Sequence, residues 1–461
     1  MKKNLLLFLA LLFSMPCLFA QYNWQTLPNA PKSWRNDDIY FLNSQVGWAI
    51  HAYYVYPPLV PNQFGQIYKT TDGGNTWLLL KDSSKTFYRC VGFSDSLTGW
   101  VGNLADTEKI SGVRVTSDTI PLYQTTNGGK TFTPVNFPNP SPKGICGISV
   151  ASDSVIYAYG RYFGPPILAK TTDKGKTWKT YDMSVYASVG LIDGWFWNKD
   201  TGFITGQDGA NAVILRTNDG GTTWQTMYHA TRNDSDHVWK IFFPSRDTGY
   251  GSLECLAYSQ TKRYFVKTTD GGKTWTEFSF PINSYDEEGI GFINDTIGWI
   301  GGDECGYNYI TYDGGKNWTP DIGFGIATPP YVVCYSSSGS AINRFRKIND
   351  TLMYASGNTV YKLSGTITGI QEMQNKKSSI SNYPNPFSRQ TTISYTLPKP
   401  YRALTLDIFD NIGNKVFSKY FMSQGVGQHS FIFNLKLQPG VYIYTLTTDN
   451  DKITNKMEVV K

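Results

Sequence analysis

The chain has 461 residues, room for two or three domains and a large core, with 15% aromatic residues, 17% charged residues and 44 Gly. That balance suits short strands and tight turns, and it excludes an all-α protein, which would carry long runs of Ala, Glu, Leu and Lys. The net charge of +6 resides at the two ends, because residues 21–380 hold 31 charges of each sign; a neutral main domain excludes nucleic acid as its partner.

Lys2 and Lys3 precede an apolar run from Leu5 to Phe13, and Ala20 offers a small residue for cleavage before Gln21. This order reads as a secretory signal peptide over 1–20, too short to span a bilayer. Ser14-Met15-Pro16 before Cys17 lacks a lipidation pattern, and no later stretch reads as a membrane helix. Five cysteines follow: Cys90, Cys146, Cys255, Cys305 and Cys334. Export permits disulfides such as Cys90–Cys146 or Cys255–Cys305, and buried thiols are the other reading.

Six segments then repeat one phrase: Tyr68-KTTDGGNT-Trp77, Tyr123-QTTNGGKT-Phe132, Ala169-KTTDKGKT-Trp178, Leu215-RTNDGGTT-Trp224, Val266-KTTDGGKT-Trp275 and Tyr309-ITYDGGKN-Trp318. Their closing aromatics lie 55, 46, 46, 51 and 43 residues apart, the length of a four-stranded propeller blade. The acidic or amide residue (Asp72, Asn127, Asp173, Asp219, Asp270, Asp313) accepts backbone N–H bonds of the turn it opens. Gly74, Gly129, Gly175, Gly221, Gly272 and Gly315 supply positive φ, and Trp77, Trp178, Trp224, Trp275 and Trp318 are expected between sheets. Lys174 replaces the first glycine in the third copy, which predicts strain there.

Upstream of the boxes runs a second pattern, an apolar strand, a polar turn and Gly-aromatic, as in Ile39-YFLNSQVG-Trp48 and Val91-GFSDSLTG-Trp100. Residues 342–363 repeat it without a box, making seven units. Trp24-Gln-Thr-Leu27 resembles a closing strand with no box before it, so it is expected to complete the seventh blade. The fold class is therefore all-β, a seven-bladed β-propeller over 21–365.

The boxes resemble the Asp boxes (BNR repeats) of sialidases, and the Gly-aromatic plus TTDGG-x-T-Trp phrasing is similar to propellers of the photosystem II assembly-factor-like type. The resemblance covers about residues 22–365 and implies fold; the box is structural throughout that group.

Residues 366–382 read as a polar linker. Residues 383–461 alternate with period two over several strands, a small C-terminal antiparallel β-sandwich. Tyr383-Pro384-Asn385-Pro386-Phe387, Leu437-x-x-Gly440-x-Tyr442-x-Tyr444 and the terminal Lys461 resemble the type A sorting domain of the type IX secretion system. The resemblance implies type IX machinery as a partner and a secreted or surface-attached product.

Sialidase chemistry needs three arginines on a carboxylate, and that family's early Arg-Ile-Pro is absent; the nearest arginine is Arg35. The adjacent acids Asp37-Asp38 and Glu287-Glu288 read as solvated faces rather than a glycosidase pair. His51, His229 and His237 have no zinc spacing, so no catalytic residue, metal or cofactor is assigned. The long inserts share the face opposite the boxes. There Trp34, Arg35, Tyr54, Arg89, Tyr162, Trp239, Tyr307 and Arg344 are expected to form a basic, aromatic patch for an acidic glycan or a peptide carboxylate; the alternative is that Arg35, Arg89 and Arg344 pair with Asp37 and Glu288. The expected function is a monomeric, non-catalytic binding propeller with an unknown glycan or protein ligand. A glycoside hydrolase and an assembly-factor-like chaperone for exported proteins are the alternatives.

Overall fold

The computed structural model describes residues 22–33, 35–55, 62–105, 109–110, 113–114, 116–160, 164–233, 236–255, 263–280, 287–302, 308–321, 342–365, 379–397, 401–424, 427–434, 437–448 and 452–460. The expected signal peptide lies outside them. Two compact units divide after Ile367.

Among the described residues, the first unit forms seven four-stranded antiparallel sheets. Blades 1 to 7 begin with the inner strands Arg35–Phe41, Tyr88–Phe93, Ile145–Val150, Gly190–Phe196, Asp236–Phe242, Glu287–Phe292 and Ile342–Asn349. Each packs against the inner strand of the next blade, and the last packs against the first, so the ring closes. The closure is the one expected: Tyr22–Thr26 is the outer strand of blade 7, with Trp24 opposite Leu363 and edge-on to Trp299 at 5.4 Å. No blade is left with an open inner edge.

The boxes are self-contained knots. Asp72 accepts the N–H and hydroxyl of Thr76 at 2.9 and 2.6 Å, while Thr70 Oγ accepts the Gly74 N–H at 2.9 Å and donates to Asp72. That first threonine, repeated in every box, has a role the sequence did not disclose. Gly73 and Gly74 hold φ of +69° and +91°. Gly73 N–H also donates to Gln45 O at 2.9 Å, tying the box to the first-to-second turn of its own blade; the other five boxes repeat the bond. Lys174 does adopt φ +64°, and its ammonium pairs with Asp95.

Lysines of the repeat clasp the following blade: Lys170 and Lys267 donate to Gly220 O and Gly314 O at 2.6 and 2.8 Å. The Gly-aromatic dipeptide has a packing cause as well. Phe93, opposite Gly99, stacks on Trp48 of the preceding blade at 3.5 Å, and a Cβ on Gly99 would stand 2.3 Å from the Phe93 ring. Gly47, Gly202 and Gly298 make the same room for Phe41, Phe196 and Phe292. Gly99→Ala is expected to lower stability by roughly 2 kcal/mol, since the stacked ring has to give way; a melting temperature equal to the unmodified chain's would contradict this account.

Box carboxylates are also an acid reserve. Hydroxyl and backbone donors from Thr76, Thr177 and Thr223 hold Asp72, Asp173 and Asp219 down at about 2, from 3.8. Because the folded values are the lower ones, their stabilisation is complete above pH 3.8 and is lost as pH falls through about 2. Melting temperature is therefore expected to decline between those limits, and Asp→Asn at all three boxes should flatten that decline. Blade 2 already uses an amide, Asn127, whose Nδ2 donates to Thr131 at 2.8 Å.

The second unit has a three-stranded and a four-stranded antiparallel sheet around one apolar core. Its first strand, Ser379–Tyr383, begins inside the stretch expected to be linker, because Ile380 is buried in that core. The Pro384–Phe387 motif clips the last strand. Asn385 accepts the Glu458 N–H at 2.8 Å and donates to Lys456 O at 3.2 Å, and Phe387, 4% exposed, fills the core. Gly440 pairs with Val459, and Tyr442 is buried and donates to Gln438 O at 2.9 Å. Lys461 lies outside the described residues.

Candidate functional site at the channel

All seven inner strands carry a register shift near their start. The residues left over are Asn36-Asp37, Arg89, Cys146, Ile192-Asp193, Trp239, Glu288-Gly289 and Asn343. A bulge re-aims a side chain and leaves a ladder donor unpaired. Neighbouring blades answer that: Asp38 of blade 1 accepts Val91 N–H at 3.0 Å, and Asp193 of blade 4 accepts Ile241 N–H at 3.1 Å.

The bulges gather charge in the middle of the ring. Arg344 donates to Asp38 through Nε at 3.0 Å and to both Asp193 oxygens at 2.9 Å, joining blades 7, 1 and 4. Arg89 pairs with Asp37 and lays its guanidinium over Trp239 of blade 5, 4.7 Å from the ring centroid. Burial alone would raise the Asp193 carboxyl, but the charges of Arg344 and Lys240 outweigh it and hold the carboxyl below its ordinary value. Lys240, 3% exposed, lies 5.2 Å from the Trp239 centroid. Burial first, then Arg344 and Arg89, push its ammonium down to about 8. Burial, then Asp38, raises the Cys90 thiol well above its usual range, and Cys90 and Cys146 are both free and buried. The other three cysteine side chains lie outside the described residues.

On the box-turn side of this plug lies a cavity of about 220 Å³, walled by Tyr40, Ser149, Trp195, Phe242, Arg344 and Arg346. Five of these, Tyr40, Ser149, Trp195, Phe242 and Arg346, occupy equivalent positions opposite Trp48, Tyr157, Phe203, Tyr250 and Tyr354, the second-strand aromatics.

Of the residues expected in the basic patch, Arg89 pairs with Asp37, and Arg344 pairs with Asp38 and Asp193. Asp37, Asp38 and Glu288 are not solvated faces; they are 1%, 3% and 1% exposed. Arg89 and Trp239 do meet, across the ring. Trp34, Tyr162 and Tyr307 lie outside the described residues, as do the side chains of Arg35 and Tyr54. Asp193, Lys240 and Arg346 escaped sequence reasoning. Only Asp193 carried a clear signal, as the one charged residue of Gly190–Phe196.

Residues 381–460 match the Secretion system C-terminal sorting domain family, beginning two residues before the 383–461 segment expected to carry a sorting role and covering all of it but the last residue. The first unit shares its propeller fold with solved structures. A structure of YCF48 bound to D1 peptide is 16% identical, with a TM-score of 0.50, covering 75% of this chain and 97% of that one. YCF48 from Cyanidioschyzon merolae is 15% identical, with a TM-score of 0.50, covering 74% and 99%. The phage phi92 endosialidase aligns at 11% identity and a TM-score of 0.43, covering 79% and 72%. No curated protein matches the chain in sequence.

Proposed function

We infer that this chain is a cargo of the type IX secretion route whose propeller works outside the cell as a non-catalytic binding module. The observation that carries the second half is Arg344 clamping Asp38 and Asp193 together. Glycoside hydrolysis needs one carboxyl kept protonated as an acid. Asp193 is instead held ionised by two cations, and Asp38 shares one of them. The five box aspartates, each satisfied within its own turn, support a scaffold role for those carboxylates too. The peptide carried by YCF48 supports a protein or peptide ligand beside a glycan.

Two measurements test this reading. Deleting residues 381–461 is expected to leave the chain on the periplasmic side of the outer membrane; surface delivery without them would remove the type IX assignment. The full-length chain is expected to turn over neither sialosides nor plant or microbial polysaccharides. Turnover abolished by a single Asp→Asn change in the channel would overturn the non-catalytic reading.

A further inference from the structure

We propose that the cavity on the box-turn side of the channel binds a carboxylate carried on an apolar, aromatic body. This deepens the binding reading above and rests on it.

The cavity floor is electrically closed, since Arg344 neutralises Asp38 and Asp193 in part and Lys240 adds the second positive charge beside Asp193. Arg346, in the wall, has no carboxylate partner among the described residues. Its guanidinium lies 4.5 Å from the Tyr40 ring centroid, which orients its plane, and its Nε is buried without an acceptor. The Trp195 indole nitrogen, in the same wall, is buried without an acceptor as well. A cationic fork and a neutral N–H donor on one small cavity call for an acceptor of single negative charge with two coplanar oxygens. That is a carboxylate, which a guanidinium matches in shape and charge. A doubly charged phosphate would find one positive charge too few.

The remaining surface chooses the body. Trp195 packs against Phe242 at 5.4 Å between centroids, and together with Tyr40 they make an aromatic wall. The polar groups that could serve sugar hydroxyls are occupied. Ser149 Oγ is hydrogen-bonded to Tyr159 and donates to Gly194 O at 3.1 Å, and both aspartates accept from Arg344. A polyhydroxylated ring would lose its water bonds there and regain few. An aromatic ring loses none.

The test titrates the full-length protein with N-acetylphenylalanine, its neutral carboxamide and glucuronate, by calorimetry. The acid is expected to bind at least about tenfold more tightly than the amide or glucuronate, in line with one charge-assisted contact. Arg346→Met should bring acid and amide to equal affinity, while Arg346→Lys keeps part of the preference. Equal binding of acid and amide by the unmodified chain overturns the proposal without reliance on any variant. An acid preference that survives Arg346→Met, glucuronate bound as tightly as the aromatic acid, or no binding of all three overturns it too. None of these outcomes touches the non-catalytic reading, which is judged by turnover.

Discussion

Arg344→Met is expected to destabilise the propeller by roughly 3–5 kcal/mol, the cost of stripping a buried ion network of its shared partner. Asp38 and Asp193, with side chains 4% and 2% exposed, would be left facing each other's charge without the guanidinium that joins them. Total stabilities run at about 5–15 kcal/mol, so the loss is a large fraction of the whole. Its pH dependence identifies the cause. In the variant the buried Asp193 carboxyl loses the Arg344 charge that holds it down, so its folded value rises and the folded state gains stability as pH falls toward it. The variant should therefore melt higher at pH 5 than at pH 8. Adding Asp38→Asn and Asp193→Asn removes the stranded charges and is expected to recover more than half of the loss. A denaturant midpoint for Arg344→Met within error of the unmodified chain, or no rescue by the amides, would show that the ring does not depend on this strut.

Lys240→Met should act in the opposite direction, stabilising the chain by on the order of 2–3 kcal/mol at pH 7. The ammonium is buried on Trp239 near two arginines, and its value falls from 10.5 to about 8. Below pH 8 both folded and unfolded chains hold this proton, and the folded state bears the full cost of burying it. Between about 8 and 10.5 the folded chain releases the proton while the unfolded one keeps it, so stability rises with pH across that window. The advantage of Met should shrink through the same interval and vanish above it. Melting curves at pH 7, 9 and 10.5 decide the matter. A variant less stable than its parent at pH 7 would mean that the ammonium is held by a partner worth more than its desolvation.

These effects are large because the centre of the ring is polar, which the strand pattern conceals. Asp37-Asp38 reads as an exposed pair from its charge, although strict alternation would send two adjacent side chains to opposite faces of the strand. The shift between Arg35 and Asp38 breaks that alternation and turns both acids inward. Arg89 and Arg344 could be singled out as inner-strand residues and Asp37 as a candidate partner, but Asp38 and Asp193 could not. Arg89 meets an acid 52 positions away, and Arg344 meets acids 306 and 151 positions away.

The sequence by itself determined the repeat, the blade count, the strand that closes the ring and the C-terminal sorting motif. Each is written in contiguous residues: a turn acid with its threonine and glycines four positions apart, or a proline-asparagine clip, folds by bonds within its own short segment. Only the tertiary structure decided that the channel is plugged by ion pairs, that the arginines face inward, and that an unpaired Arg346 borders a cavity on the box side. Those outcomes depend on which blades come to face one another and on single-residue bulges, and neither leaves a local pattern to read.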